Sequence, residues 1–135
     1  MKVVLDHIGI AVDDLEKALG FYRDGLGLSV EAEESVPSQA VRGHFVEIGN
    51  AKLELLEATS TESPIARSID RRGVGLHHIT FRVADLNKAL DYRRERGVQL
   101  IDDVPRDGAE GALVAFIHPR STHGVLVELK QERNG

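Results

Sequence analysis

Four residues of this 135-residue chain have the type and spacing to hold an ion. His7 stands in "LDHIGIAV" and Glu54 follows 47 residues later in "KLELLE". His78 stands in "LHHITFRV" and Glu128 follows 50 residues later in "GVLVELK". In each stretch the polar residue has the opposite parity to its apolar neighbours. On a strand it therefore points away from the side that joins the core. Two neutral imidazoles and two carboxylates balance a divalent cation. Nitrogen and oxygen donors without sulfur suit Co2+, Ni2+, Mn2+, Fe2+ or Zn2+, and they leave an octahedral ion two positions for water or substrate. Those open positions are where metal-assisted chemistry takes place.

Taken singly, each residue has a plainer explanation. A lone strand histidine is more often hydrogen-bonded structure than ligand, and a glutamate among leucines is usually the solvated side of a strand. Repetition changes the balance. "LDHIGIAVDDLEKAL" (5–19) lies over "LHHITFRVADLNKAL" (76–90) at an offset of 71 without gaps, and nine of the fifteen positions are identical. This alignment pairs His7 with His78 and leaves His77 at the apolar parity, where it reads as structural. Internal similarity of this kind marks a duplicated unit.

Each copy must then supply a first strand for its histidine and a last strand for its glutamate. Ile8, Ile10 and Val12 alternate with His7, Gly9 and Ala11, the period of a half-buried strand. In "DDLEKALGFY" Asp13 with Glu16 forms a capping-box pattern, and Leu15, Ala18, Leu19 and Tyr22 share one helical face. The glycines of "RDGLGL" end that helix. Strands are expected over 40–48 and 51–57 around the Gly49-Asn50 turn. "TSTESP" reads as a linker and "IARSIDRRG" as a short helix. The second copy repeats the plan, with strands at 78–83, 113–117 and 125–130, a helix from about Asp85, and the "HPRSTHG" loop before the last strand. The expected fold class is α+β, two copies of one strand–helix–strands unit within a single 1–135 domain. Module one covers about 1–58, the linker about 59–74 and module two about 75–132.

Composition removes several function classes. Hydrophobic residues make up 41% and charged residues 29%, as in ordinary globular proteins. A net charge of -5 argues against a nucleic-acid partner, as do 4% aromatics and no tryptophan. There is no cysteine for disulfide or thiolate chemistry. "MKVVLD" is too short for a signal peptide, and no apolar run approaches the roughly 20 residues of a membrane span. A soluble, cytoplasmic protein without a membrane partner is the expectation.

These residues resemble the vicinal oxygen chelate superfamily, whose members pair βαβββ modules around a divalent metal, and the resemblance implies an α+β fold of two βαβββ modules forming one metal-binding cleft. Within it the chain is most similar to the methylmalonyl-CoA epimerase family, through "LDHIGIAVDDLEKALGFY", "GNAKLELLE", "SPIA", "GLHHITFRV" and "HPRSTHGVLVEL". The resemblance implies metal ligands at His7, Glu54, His78 and Glu128. It also implies one divalent ion, with Co2+ expected and Ni2+, Mn2+, Zn2+, Fe2+ or Mg2+ as alternatives, an acyl-CoA substrate and a homodimer. The implied reaction interconverts the (R) and (S) epimers at C2 by proton transfer through an enolate, with Glu128 and Glu54 as the acid/base pair. Arg120, Ser121, Thr122 and His123 are expected to anchor the substrate carboxylate, and Arg71 and Arg72 the CoA phosphates. Some epimerases assign a further glutamate as the second base, and the matching position here is Gly43. Glu47 shares its parity but stands about 13 Å further along the strand, and His44 faces the other way. Glu33, Glu34, Asp102 and Asp103 read as surface charge.

Two other readings share the fold. One is a glyoxalase I-type lactoylglutathione lyase, whose ligand set includes a glutamate at the position of Glu54. The other is a metal-free protein that sequesters a drug, against which four intact ligands count. An extradiol dioxygenase, with two histidines and one carboxylate around Fe2+, fits the quartet less well.

Overall fold

A computed structural model describes residues 2–133. The chain forms two compact units, one over His7–His77 and the other over residues 78–133 joined by residues 2–6. Within the first unit the strand order is β2-β3-β4-β1, with β1 Val4–Val12, β2 Glu34–Val36, β3 Val41–Glu47 and β4 Lys52–Ala58. β1 runs parallel to β4, and β2, β3 and β4 are antiparallel neighbours. The second unit has the order β5-β8-β7-β6, with β5 Gly75–Arg82, β6 Arg106–Asp107, β7 Leu113–Ile117 and β8 Val127–Gln131. β5 is parallel to β8, and the rest is antiparallel.

The repeated "DLxKAL" forms the helix that follows the first strand in each copy, α1 Leu15–Leu19 and α3 Leu86–Glu95. The capping residue is the second aspartate of the pair, one place later than the sequence pattern suggests. Asp14 accepts from the Lys17 amide at 3.1 Å, and Asp85 accepts from the Lys88 amide at 3.1 Å. Asp13 precedes the helix and has no such role. A turn of π-helix over Gly20–Gly25 prolongs α1, and Leu26 closes it through a 2.8 Å bond to the Phe21 carbonyl.

Each helix covers one face of its sheet. Leu15 and Leu19 of α1 pack on Val46 and Leu55, with Ile10, Val12 and Leu53 around them. Leu86, Ala89 and Leu90 of α3 pack on Ala115, Ile117 and Leu129. The first unit has a second apolar layer on its other face. There α2, Pro64–Arg72, sets Ile65 and Ile69 against Ala11, Val41 and Leu56. The stretch 59–74, expected to be a linker carrying a short helix, thus contributes to the core. Ser63 caps α2 by accepting from the Ile65 amide at 3.1 Å.

Residues 2–6 belong with the second unit because Asp6, nearly buried, takes Arg82 at 2.7 Å and Lys130 at 3.2 Å. β2 and β6 are short edge strands absent from the sequence reading. Among the described residues no helix is long and apolar enough to cross a membrane.

The layers predict a contrast. Leu90→Ala, which empties a buried site under α3, should lose about 2–5 kcal/mol of stability. Leu76→Ala, at a residue 75% exposed, should stay within about 0.5 kcal/mol of the parent. Urea denaturation of the two variants reads the difference.

Candidate metal centre

In the first unit Ile10 and Val12 of β1 face α1, so His7, Gly9 and Ala11 occupy the other face, where α2 covers Ala11. Glu54 joins them from β4. Its cross-strand partner is Phe45 of β3, and opposed residues share a face. The His7 imidazole meets the Phe45 ring edge-on, with centroids 5.2 Å apart and planes at 81°. His7 Nε2 lies 3.2 Å from Glu54 Oε1. The histidine is 4% exposed, and the glutamate side chain 16%. Lys52 sits one step along β4, its ammonium 2.5 Å from Glu31, 3.7 Å from Glu47 and 5.5 Å above the Phe45 ring.

The second unit builds the same arrangement. β5 carries His78, Thr80 and Arg82 on the face away from α3, and β8 carries Glu128 and Lys130 there. Phe116 of β7 opposes Glu128 as Phe45 opposes Glu54. The His78 and Phe116 rings are 6.4 Å apart at 83°, and His78 Nε2 is 3.7 Å from Glu128 Oε1. Here the copies diverge. Thr80 replaces Gly9, and its hydroxyl, fully buried, donates to Glu128 Oε1 at 2.5 Å. Farther along the strands Arg82 and Lys130 stand where the first unit has Ala11 and Leu56.

Each pair passes a simple geometric test for a shared ion. Ligands about 2.1 Å from a metal and adjacent in its shell lie roughly 3.0–3.4 Å apart. The two nitrogen–oxygen separations, 3.2 and 3.7 Å, are at or slightly above that range. Nitrogen and oxygen donors side by side on a half-buried face are a set that borderline divalent ions accept.

The other predicted residues fare differently. Ser121 and Thr122 use their hydroxyls on the backbone: Ser121 Oγ accepts from the Gln99 amide at 2.8 Å, and Thr122 donates to the Pro119 and Val125 carbonyls. Arg120 and His123 are exposed, and His123 holds a left-handed backbone, φ 61°. Asp102, expected to be surface charge, accepts from the Phe116 amide at 2.8 Å and so fixes the strand that carries the ring. His77 lies within electrostatic reach of Glu54. Its burial, followed by the Arg72 guanidinium, holds the imidazole below the usual histidine range, and the Glu54 carboxylate opposes both. Gly43 admits no side chain in this backbone, since a Cβ there would stand 2.2 Å from the Leu55 carbonyl oxygen. Phe45 and Phe116 were not singled out in the sequence. Their signal was present: each sits at the site parity of the strand before its glutamate, at the same offset of 71 that relates the histidines.

The chain matches the Glyoxalase/Bleomycin resistance protein/Dioxygenase superfamily over residues 6–116, and it belongs to that superfamily. It is 46% identical over 125 residues to the uncharacterized protein YqjC of Bacillus subtilis (strain 168), covering 93% of this chain and 89% of that one. It is 40% identical over 129 residues to an ethylmalonyl-CoA/methylmalonyl-CoA epimerase of Cereibacter sphaeroides, covering 94% and 96%. A solved methylmalonyl-CoA epimerase in complex with methylmalonyl-CoA and NH4+ shares its fold, with a TM-score of 0.90 at 36% identity over 98% of this chain and 96% of that one.

The Thr80–Glu128 bond predicts a measurable loss. Thr80→Val keeps the shape and removes a buried donor from a carboxylate oxygen. It should lower stability by about 1–3 kcal/mol, read by urea denaturation, whereas Thr80→Ser should recover most of it.

Proposed function

We propose that the chain is a methylmalonyl-CoA epimerase in which His7, Glu54, His78 and Glu128 together hold one divalent ion. The observation that carries this reading is the duplicated half-site, a histidine set edge-on to a phenylalanine and within 3.2–3.7 Å of a glutamate, in each unit. A drug-sequestering protein would have no use for it. The Cereibacter sphaeroides relative and the solved neighbour bear epimerase names, and these support an acyl-CoA thioester as the substrate class.

The reaction inverts a carbon between a thioester and a carboxylate. Its C–H bond breaks on one face, the electron pair moves into the thioester as an enolate, and a proton arrives on the opposite face. The bound ion supplies Lewis-acid stabilisation of the negative charge that develops on the thioester oxygen. The residues do the rest. His7 and His78 orient the donor set, each fixed by a phenylalanine ring. Glu128 is the acid/base for one face of C2, aimed by the Thr80 hydroxyl. The other face falls to a carboxylate of the first unit, with Glu54 the one nearest the histidine. Acid/base groups placed in this way each contribute about 10²–10⁴-fold.

Proton NMR of methylmalonyl-CoA in D2O tests the reading. With metal-loaded protein the C2 proton signal should disappear rapidly, and chelator treatment should abolish the exchange. His7→Ala and His78→Ala should each lower metal affinity by at least about tenfold. Bound metal without exchange above the chelated control would refute the assignment, and the hemithioacetal of methylglyoxal and glutathione would then be the substrate to try.

A further inference from the structure

An acyl-CoA thioester has a neutral pantetheine arm that ends in phosphates, so binding it calls for a cation beyond the reacting carbon. Resting on the epimerase reading, we infer that Arg106 is that cation, holding a phosphate of the CoA moiety from the site face of the second unit.

Parity puts Arg106 on that face. It opposes Val114 across the β6–β7 pair, and Val114 shares a face with Phe116 two residues on. Phe116 in turn opposes Glu128. Arg106, Phe116 and Glu128 therefore lie on the side that carries His78. The Arg106 guanidinium stands 5.1 Å from the centre of the Phe116 ring, the same ring that His78 meets edge-on. The electron-rich face of a ring attracts a cation without consuming its N–H donors. Phe116 thus fixes the guanidinium relative to the half-site.

The carboxylate beside Arg106 is shared. Asp102 Oδ2 lies 3.5 Å from Arg106 Nε, longer than the roughly 2.7–2.9 Å of a charge-assisted hydrogen bond. The same oxygen already accepts from the Phe116 amide at 2.8 Å. Among the described residues neither Nη group of Arg106 has a hydrogen-bond partner, and the side chain is 45% exposed. A planar fork of donors left in this way matches the oxygens of a phosphate.

Other cations of the site faces are committed to acids. Asp6 takes Arg82 at 2.7 Å and Lys130 at 3.2 Å. Lys52 lies over Phe45 as Arg106 lies over Phe116, but it is paired with Glu31 and Glu47. A thioester with one nucleotide tail needs one such anchor, and the second unit supplies it. The anchor falls on the site face, and not at the end of α2 where the sequence suggested Arg71 and Arg72.

Spacing agrees with a phosphate at the end of an arm. Arg106 stands two strands from Glu128, about 10 Å across, and one pleat repeat, about 7 Å, along. Such a separation exceeds the length of a malonyl group and lies within the span of pantetheine.

Kinetics of the metal-loaded protein on two substrates decide the matter: methylmalonyl-CoA, and the methylmalonyl thioester of pantetheine, which has no phosphate. Arg106→Met keeps an unbranched side chain on Phe116 and removes the charge. On the CoA thioester it should raise KM by at least about tenfold at unchanged kcat, and Arg106→Lys should recover part of the loss. On the pantetheine thioester Arg106→Met and the parent should have the same kcat/KM. An unchanged KM for the CoA thioester in Arg106→Met would overturn the role of Arg106. So would an equal loss on both substrates, because the guanidinium would then serve the acyl carboxylate or the ring beneath it. Failure of the parent to epimerise methylmalonyl-CoA would instead remove the epimerase reading on which this inference stands.

Discussion

The structure depends on strand parity. A strand that gives one face to a helix has only its alternate residues left for anything else, and a one-residue slip would carry the whole set to the wrong side. From Ile8 in β1 and Ile79 in β5 onward the residues facing α1 and α3 are apolar, and the alternate residues are His7, Gly9, Ala11 and His78, Thr80, Arg82. β4 and β8 obey the same rule with Glu54 and Glu128. Burying a histidine and a carboxylate is costly unless each finds a partner. Placing them on neighbouring strands, 3.2 and 3.7 Å apart at their nearest polar atoms, supplies part of that compensation. A divalent ion would supply the rest.

Duplication explains why the half-sites agree and where they part. The ring beneath each histidine, the carboxylate beside it and the capping aspartate of the next helix all recur. The differences lie at the positions flanking the ligands. Ala11 and Leu56 lie under α2, whereas Arg82 and Lys130 engage Asp6. Gly9 gives nothing to Glu54, whereas Thr80 gives a hydroxyl to Glu128. The two half-sites are thus alike in their histidines and glutamates and unlike in the residues around them.

Much of this was legible in the residues. The offset of 71 located both histidines, and the alternation in "KLELLE" and "GVLVELK" located both glutamates, because parity is visible wherever one face is apolar. β2 and β6 were not legible. "ESV" and "RD" are short, polar edge strands whose place is set by the neighbour they pair with. Ile65 and Ile69 sit in a stretch whose Ser and Thr residues suggest a linker, and only packing on Ala11 and Leu56 shows that they are core. The "HPRSTHG" loop looked like a row of donors, but Ser121 and Thr122 spend their hydroxyls on backbone groups, the Gln99 amide and the Pro119 and Val125 carbonyls.

The central claim is that both half-sites serve a single ion, and metal stoichiometry tests it most directly. Calorimetric titration of the chelated protein with Co2+, repeated on His7→Ala and on His78→Ala, separates one shared site from two independent ones. The account predicts one ion per chain and a marked loss of affinity in both variants. Two ions per chain, or a variant that binds as tightly as the parent, would contradict it.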